Sequence, residues 1–445
     1  MREGYRLGDN CLKIGSGATP RGGKETYLEE GPVALIRSQN IHNDRFSYSG
    51  LAYISEHQAA QLRNVVVEEG DVLLNITGDS VARVCQVDSR VLPARVNQHV
   101  AIIRPDPDVI DPHYLRYYLV TPSFQAHMLA LAASGATRNA LTKGMIEEFR
   151  VPRTPIYEQR AVASILGALD DKIDLNRRMN ETLEAMARAL FKDWFVDFGP
   201  TRAKMEGREP YLAPELWALF PDRLDDEGKP AGWTSEPIGE HLRAQKGLSY
   251  KGSGLTDANR GIPLHNLNSV IEGGGYKASG LKYYSGEYQS RHRIKPGDLI
   301  VANTEQGFDH LLIGYSAIVP RWAGAKGLFS HHLFKIEPRE GSPLSRVWLH
   351  YAISSSPAGD AIRRFSNGTT VNMLPSDAFL APSLVVPPHA IVSSFAEAAS
   401  LFLDRKELNF DESQTLAQTR DLLLPKLMSG EIRVREAKRI VEKVV

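Results

Sequence analysis

The sequence contains a second copy of itself. Asn97-Gln98-His99-Val100 returns as Ser330-His331-His332-Leu333, and Gly135-Ala136-Thr137-Arg138-Asn139-Ala140-Leu141 returns as Gly368-Thr369-Thr370-Val371-Asn372-Met373-Leu374, both at an offset of 233 residues. Earlier in each copy, Leu35-Ile36-Arg37-Ser38-Gln39-Asn40-Ile41 is echoed by Pro263-Leu264-His265-Asn266-Leu267-Asn268, an apolar strand opening into an amide-rich loop. Gly70-Asp71-Val72-Leu73-Leu74-Asn75 is echoed by Gly297-Asp298-Leu299-Ile300-Val301-Ala302-Asn303, a turn followed by a buried strand. Solenoid repeats run about 20–50 residues, so this period is a duplicated domain rather than a stack of small units. Each copy is a mixed segment of short β-branched runs punctuated by Gly, Pro and Asn, followed by one long helical segment.

The helical segments carry a heptad seam. Val162, Leu166, Leu169, Ile173, Asn176, Asn180, Leu183, Ala187, Leu190 and Trp194 follow alternating spacings of four and three, with no proline between Tyr157 and Trp194. Adding the offset gives Phe395, Ala399, Phe402, Lys406, Asn409, Ser413, Leu416, Arg420, Leu423 and Leu427, a seam with the same polar centre. One long amphipathic helix cannot bury its stripe alone, so the two are expected to pair. If a pseudo-two-fold axis relates the copies, the pair is antiparallel and Asn176 and Asn180 meet Asn409 and Ser413, where buried amides fix register. Such a strut would be roughly 50 Å long and would hold the globular domains at its two ends. The expected fold is α+β, with two α/β domains separated by a long antiparallel two-helix coiled coil. The expected boundaries are domain 1 at 1–153, first helix 154–198, a proline-rich linker 199–232 without long regular structure, domain 2 at 233–388, second helix 389–430 and a tail 431–445.

Composition excludes several classes. At 42% hydrophobic and 24% charged residues the chain can bury substantial cores and is not disordered. Two cysteines, Cys11 and Cys85, support neither a disulfide framework nor a four-cysteine zinc site and fit a reducing cytoplasm. Neither a signal-peptide core nor a membrane-spanning apolar run is present, so the expected location is cytoplasmic with no membrane contact. Lysine plus arginine balance aspartate plus glutamate at 53 each. Any contact with a polyanion must therefore come from a locally polarised face or be shared with a more basic partner.

Recognisable catalytic motifs are absent from the sequence. The stretch Gly15 to Glu25 fails as a phosphate loop because Ala18 and Glu25 stand where a glycine and a magnesium-binding hydroxyl are needed. His331-His332 reads as a hydrogen-bonding pair rather than a metal site, Cys85 as a small core residue, and Gly273-Gly274-Gly275 as a flexible loop. The remaining polar loop residues suit the reading of base edges, where Asn and Gln match adenine and Arg matches guanine. In the first copy these are Arg37, Gln39, Asn40, Thr77, Arg83, Arg95, Gln98, Arg138 and Asn139. In the second they are His265, Asn266, Asn268, Thr304, Gln306, His332, Thr370 and Asn372. The alternative for each is a turn or strand-end role satisfying local backbone groups. If the two domains read different sequences, shared residues are scaffold and differing residues are readers.

The run Glu158-Gln159-Arg160, Leu166-Gly167-Ala168-Leu169-Asp170-Asp171-Lys172-Ile173-Asp174-Leu175-Asn176-Arg177-Arg178-Met179-Asn180-Glu181-Thr182-Leu183-Glu184, then Phe191-Lys192-Asp193-Trp194-Phe195-Val196-Asp197-Phe198, resembles the central spacer helix of type I restriction-modification specificity subunits. Asp421-Leu422-Leu423-Leu424-Pro425-Lys426-Leu427-Met428-Ser429-Gly430-Glu431-Ile432 resembles the end of the distal one. One departure is that Glu158-Gln159 has no counterpart at the second helix, which points to a different cap there. The resemblance implies two target recognition domains that each read half of a bipartite, asymmetric duplex DNA site, with the helices as a ruler. It also implies docking of two methyltransferase subunits, with restriction subunits completing the assembly. No cofactor is expected in this chain; S-adenosylmethionine, ATP and magnesium belong to the partners. The alternatives are a self-contained DNA-modifying or DNA-cleaving enzyme with an unrecognised site, and a purely structural coiled-coil scaffold.

Overall fold

A computed structural model describes residues 4–20, 22–43, 45–134, 139–306, 311–368 and 371–444, without the side chains of Lys24 and Gln306. The chain divides into two compact units, Met1–Leu175 with Glu412–Val445, and Asn176–Asp411.

In the first unit, a four-stranded antiparallel sheet runs in the order Cys11–Ser16, Val100–Pro105, Val72–Asn75, Val84–Gln86. Its central strands are apolar on both faces because both faces are covered. Val72, Leu74, Ala101 and Ile103 enter a core with the helices. Leu73, Cys85, Val100 and Ile102 enter a second core, under another sheet. That sheet is ordered Ala52–Ile54, Val33–Ile36, Ala94–Val96, Val66–Val67, and its two middle strands run parallel.

The second unit repeats this plan. Leu242–Lys246, Leu333–Pro338, Leu299–Ala302 and Ser316–Ile318 form the antiparallel sheet. Leu299 and Val301 face one core, and Ile300 and Ala302 face another. The other sheet again contains a parallel pair, Ile262–His265 with Gly327–Phe329, and has one strand more. Equivalent pairings place Leu35 opposite Arg95 and Leu264 opposite Leu328, so Ile36 corresponds to His265, Arg37 to Asn266 and Gln39 to Asn268.

The long helices are Ile156–Phe195 and His389–Ser429. In the first unit Val162, Leu166, Leu169, Leu416, Leu423 and Leu427 are buried, and Ile173 is half-buried. In the second unit Asn176, Trp194, Phe395 and Asn409 are buried, and Asn180, Leu183, Leu190 and Phe402 are half-buried. Leucines off the seam, such as Leu175, Leu401, Leu408 and Leu422, are exposed. The pairing is antiparallel within each unit. In the first, Asp170 meets Arg420 and Lys172 meets Glu412. In the second, the Asn176 amide donates to the carbonyl of its own repeat counterpart, Asn409, at 3.4 Å, and the Asn180 amide donates to the Lys406 carbonyl at 3.3 Å. Asn409 Nδ2 also donates to Asn180 Oδ1 at 2.8 Å.

In each unit a carboxylate on the first helix gathers several donors. Asp170 accepts from Arg116 Nη1, Tyr117 Oη and Arg420 Nη1, all at 2.7 Å. Burial works to raise the Asp170 pKa, but the Arg116 and Arg420 guanidiniums and the Tyr117 hydroxyl hold it below the usual carboxylate value. Glu184 accepts from Lys406 Nζ at 2.7 Å and Arg188 Nε at 2.8 Å. Its pKa is likewise lowered against a burial effect of opposite sign, chiefly by Lys406. Arg188 continues to the Gly273 and Gly274 carbonyls at 3.0 and 3.3 Å. The three-glycine segment is therefore tied to the helix rather than free.

The helix starts differ as their sequences do. Buried Gln159 accepts from the Asp111 N–H at 2.9 Å and donates to the Val109 and Thr154 carbonyls at 3.0 and 2.8 Å. The residue at the 233 offset is Val392, also buried. Gln159→Leu strands three partly buried backbone groups, so a loss of about 2–4 kcal/mol is expected in the first unit. Hydrogen exchange along Pro112–Leu119 measures it, and unchanged protection there would show that the amide is dispensable. Residues 199–232 contain two short helices, Gly199–Met205 and Pro214–Leu219. Among the described residues, no helix is long and apolar enough to cross a membrane.

Candidate nucleic-acid interface

Within the first unit, a cavity of about 750 Å³ gathers Gln39, Thr77, Arg83 and Asn139 with Ser38, Gly78, Asp79, Ser80, His99 and Ala140. The antiparallel sheet positions it. The chain leaves the strand Val72–Asn75 at Thr77, which bridges Ala140 on a returning segment. His99 closes the wall. Gln98 Nε2 lies 3.0 Å from His99 Nε2, and Gln98 Oε1 accepts from Thr19 Oγ1 at 2.6 Å. With the amide donating, His99 Nε2 is the acceptor, and its Nδ1–H then donates to Thr77 Oγ1 at 2.6 Å. Thr77 and Gln98 are thus engaged in a fixed relay, whereas Arg83 and Asp79 make no side-chain hydrogen bond or ion pair among the described residues.

Other candidates build the loops. Asn40 is fully buried, accepting from the Arg37 N–H and donating to the Ser47 and Ser49 carbonyls. Arg37 donates to the Gly50 carbonyl, as does Gln39, although Gln39 is exposed. Arg95 binds the Ala59 and Ala94 carbonyls, and burial lowers its pKa. Asn139 is exposed, and Arg138 lies outside the described residues.

In the second unit, His265 stands where the first has a core isoleucine. It is buried beside Tyr276 Oη at 2.8 Å, and burial lowers its pKa to about 4, so it is neutral. Asn266 is buried, donating to the Leu264 and Gly280 carbonyls and accepting from the Asn268 N–H. Asn372 is buried in the strand Val371–Met373, whereas Asn268 is exposed. Thr304 Oγ1 lies 2.9 Å from His332 Nδ1, repeating the Thr77–His99 pair. Burial, and after it the neighbouring His331, lowers the His332 pKa. Gln306 belongs to the strand Thr304–Gln306, its side chain not described, and Thr370 lies outside the described residues. Asp79 and His99 were missed as candidates, and both sit within two residues of ones named from sequence.

Residues 3–185 match the family described as "Type I restriction modification DNA specificity domain". The similarity extends beyond them. The MjaIX specificity subunit of Methanocaldococcus jannaschii is 25% identical over 95% of this chain and 92% of its own length. The HindI specificity subunit of Haemophilus influenzae is 21% identical over 90% and 94%. Both relatives are type I restriction specificity subunits, and the similarity to them runs along nearly the whole chain. In fold, the chain is similar to the crystal structure of the S subunit from M. genitalium, with a TM-score of 0.54 at 14% identity over 95% of both chains.

Proposed function

We propose that this chain is a specificity subunit that reads a bipartite, asymmetric duplex DNA site, one half-site per globular domain, with the separation set by the paired helices. The observation that carries this reading is the repetition in both units of one sheet plan and one Thr–His pair. Phosphate contacts position each domain, and amide or guanidinium groups read base edges. The balanced overall charge leaves part of the phosphate neutralisation to partners, namely two methyltransferase subunits docked on this chain, with restriction subunits joining them. S-adenosylmethionine, ATP and magnesium act in those partners, and this chain is non-catalytic.

Two changes to the assembled complex test the reading. Inserting a whole heptad between Asn180 and Leu183 is expected to change the preferred spacer and leave both half-sites intact. Exchanging residues 1–153 for another subunit's domain is expected to change one half-site only. Methylated-base sequencing of DNA exposed to each complex reads both. An altered half-site at constant spacing after the insertion would refute the ruler, and DNA turnover by the purified chain alone would favour a self-contained enzyme.

A further inference from the structure

The cavity wall in the first unit contains a backbone irregularity that the second unit repeats. Ala82 and Arg83 together face a single residue, Asn75. The Ala82 N–H donates to the Asn75 carbonyl at 2.9 Å, and the Asn75 N–H donates to the Arg83 carbonyl at 2.9 Å. Ala82 has φ 70, a left-handed conformation uncommon for a residue with a Cβ. This is a bulge with its first residue left-handed, a device that re-aims the side chain of the strand carrying it. In the second unit the Gly314 N–H donates to the Ala302 carbonyl at 2.7 Å, and the Ala302 N–H donates to the Tyr315 carbonyl at 3.0 Å, with Gly314 at φ 76. The bulge is thus common scaffold, and the residue mounted after it differs: Arg83 in one copy, Tyr315 in the other.

The surroundings hold Ala82 in place. It is fully buried, and its carbonyl accepts from Gln125 Nε2 at 2.9 Å. The Arg83 side chain, by contrast, is half-buried on the cavity wall with no side-chain partner among the described residues. An arginine whose fork of donors is unengaged among the described residues, on a strained and braced backbone, is preorganised for a planar acceptor pair. Guanine presents one as O6 and N7 in the major groove. The Tyr315 ring instead lies under the Arg363 guanidinium at 4.3 Å, a different chemistry at the equivalent post.

We propose that Arg83 is a specificity-determining residue of the first domain that reads a guanine edge, and that the bulge is the mount for one reading residue in each domain. This rests on the half-site reading proposed above. The test is selection of binding sites from randomised duplexes by the full chain assembled with its methyltransferase subunits, comparing wild type, Arg83→Ala and Arg83→Gln. Wild type is expected to fix a G·C pair in one half-site. Arg83→Ala is expected to become degenerate at that pair and to bind the wild-type site roughly 10–100-fold more weakly, with the other half-site unchanged. Arg83→Gln is expected to lose the guanine preference and move toward adenine. Both variants should melt with wild type, since no side-chain partner among the described residues is lost. An unchanged consensus in both overturns the proposal, including the case in which affinity falls equally for all sequences, which marks a phosphate contact. Unfolding of both variants also overturns it, because Arg83 would then hold the fold. A wild-type complex that selects no consensus overturns the half-site reading as well, which separates the two failures.

Discussion

Glu184→Lys is expected to break the pairing of the long helices within the second unit, and Lys406→Glu in the same chain is expected to restore much of it. The single change removes a carboxylate that holds Lys406 at 2.7 Å and Arg188 at 2.8 Å and sets a third cation beside them. Glu184 and Lys406 are 18% and 25% exposed, so water screens them only partly. Removing one partner of such a pair costs about 3–5 kcal/mol, and reversing its charge costs at least that. The double variant returns the attraction across the seam but leaves the introduced lysine next to Arg188, so rescue is expected to be partial. Denaturant unfolding of the two variants and wild type measures it, and a double variant no more stable than the single would show that the pair does not hold the helices. The distribution of these charges gives the pair a second role. Both acids, Asp170 and Glu184, lie on the first helix, and both bases, Lys406 and Arg420, lie on the second. At the 233 offset their counterparts are Leu403, Ala417, Ile173 and Ala187, all apolar. A helix paired with a copy of itself would set each buried charge against a hydrocarbon, so the pattern favours pairing of unlike helices over like ones.

The duplication and the long helices were legible because their signals are periodic and local. The paired sheets were legible only as apolar runs, Val72-Leu73-Leu74 and Leu299-Ile300-Val301, whose alternate residues turn out to enter different cores. What stayed hidden depends on partners far along the chain. Asp170 and Glu184 each stand one place beyond a seam leucine, where a charge reads as a solvated flank until Arg420 or Lys406 is known to face it. Gly273-Gly274-Gly275 reads as flexible because nothing nearby constrains it, and the constraint comes from Arg188 on the helix. Among the candidate readers, type alone could not separate Arg95, which binds backbone carbonyls, from Arg83, which binds nothing described. The bulge that distinguishes Arg83 has a glycine to announce it in the second copy but an alanine in the first.

Asp170→Asn is expected to cost the first unit about 3–5 kcal/mol at neutral pH, because it leaves the Arg116 and Arg420 guanidiniums without the anion that holds both. Asp170 is 19% exposed, and Arg116 and Arg420 are 8% and 14% exposed, so solvent replaces little of the lost attraction. The pH dependence follows from the direction of the shift. The Asp170 pKa is held below its ordinary value of 3.8 in the folded chain, so the unfolded state takes up the proton first. Its contribution is therefore complete above that value and is lost as pH falls through the folded pKa. The difference between wild type and Asp170→Asn should be constant from neutral pH down to about pH 5 and then shrink as the solution becomes more acid. Hydrogen exchange along Pro112–Leu119 and residues 416–427 reports on this unit alone, which a single melting temperature for a two-unit chain would not. A difference that grew with acidity would mean that Asp170 is protonated in the folded chain. The two arginines would then be held by the Asn43 carbonyl and Asp421, to which they also donate, rather than by the buried carboxylate.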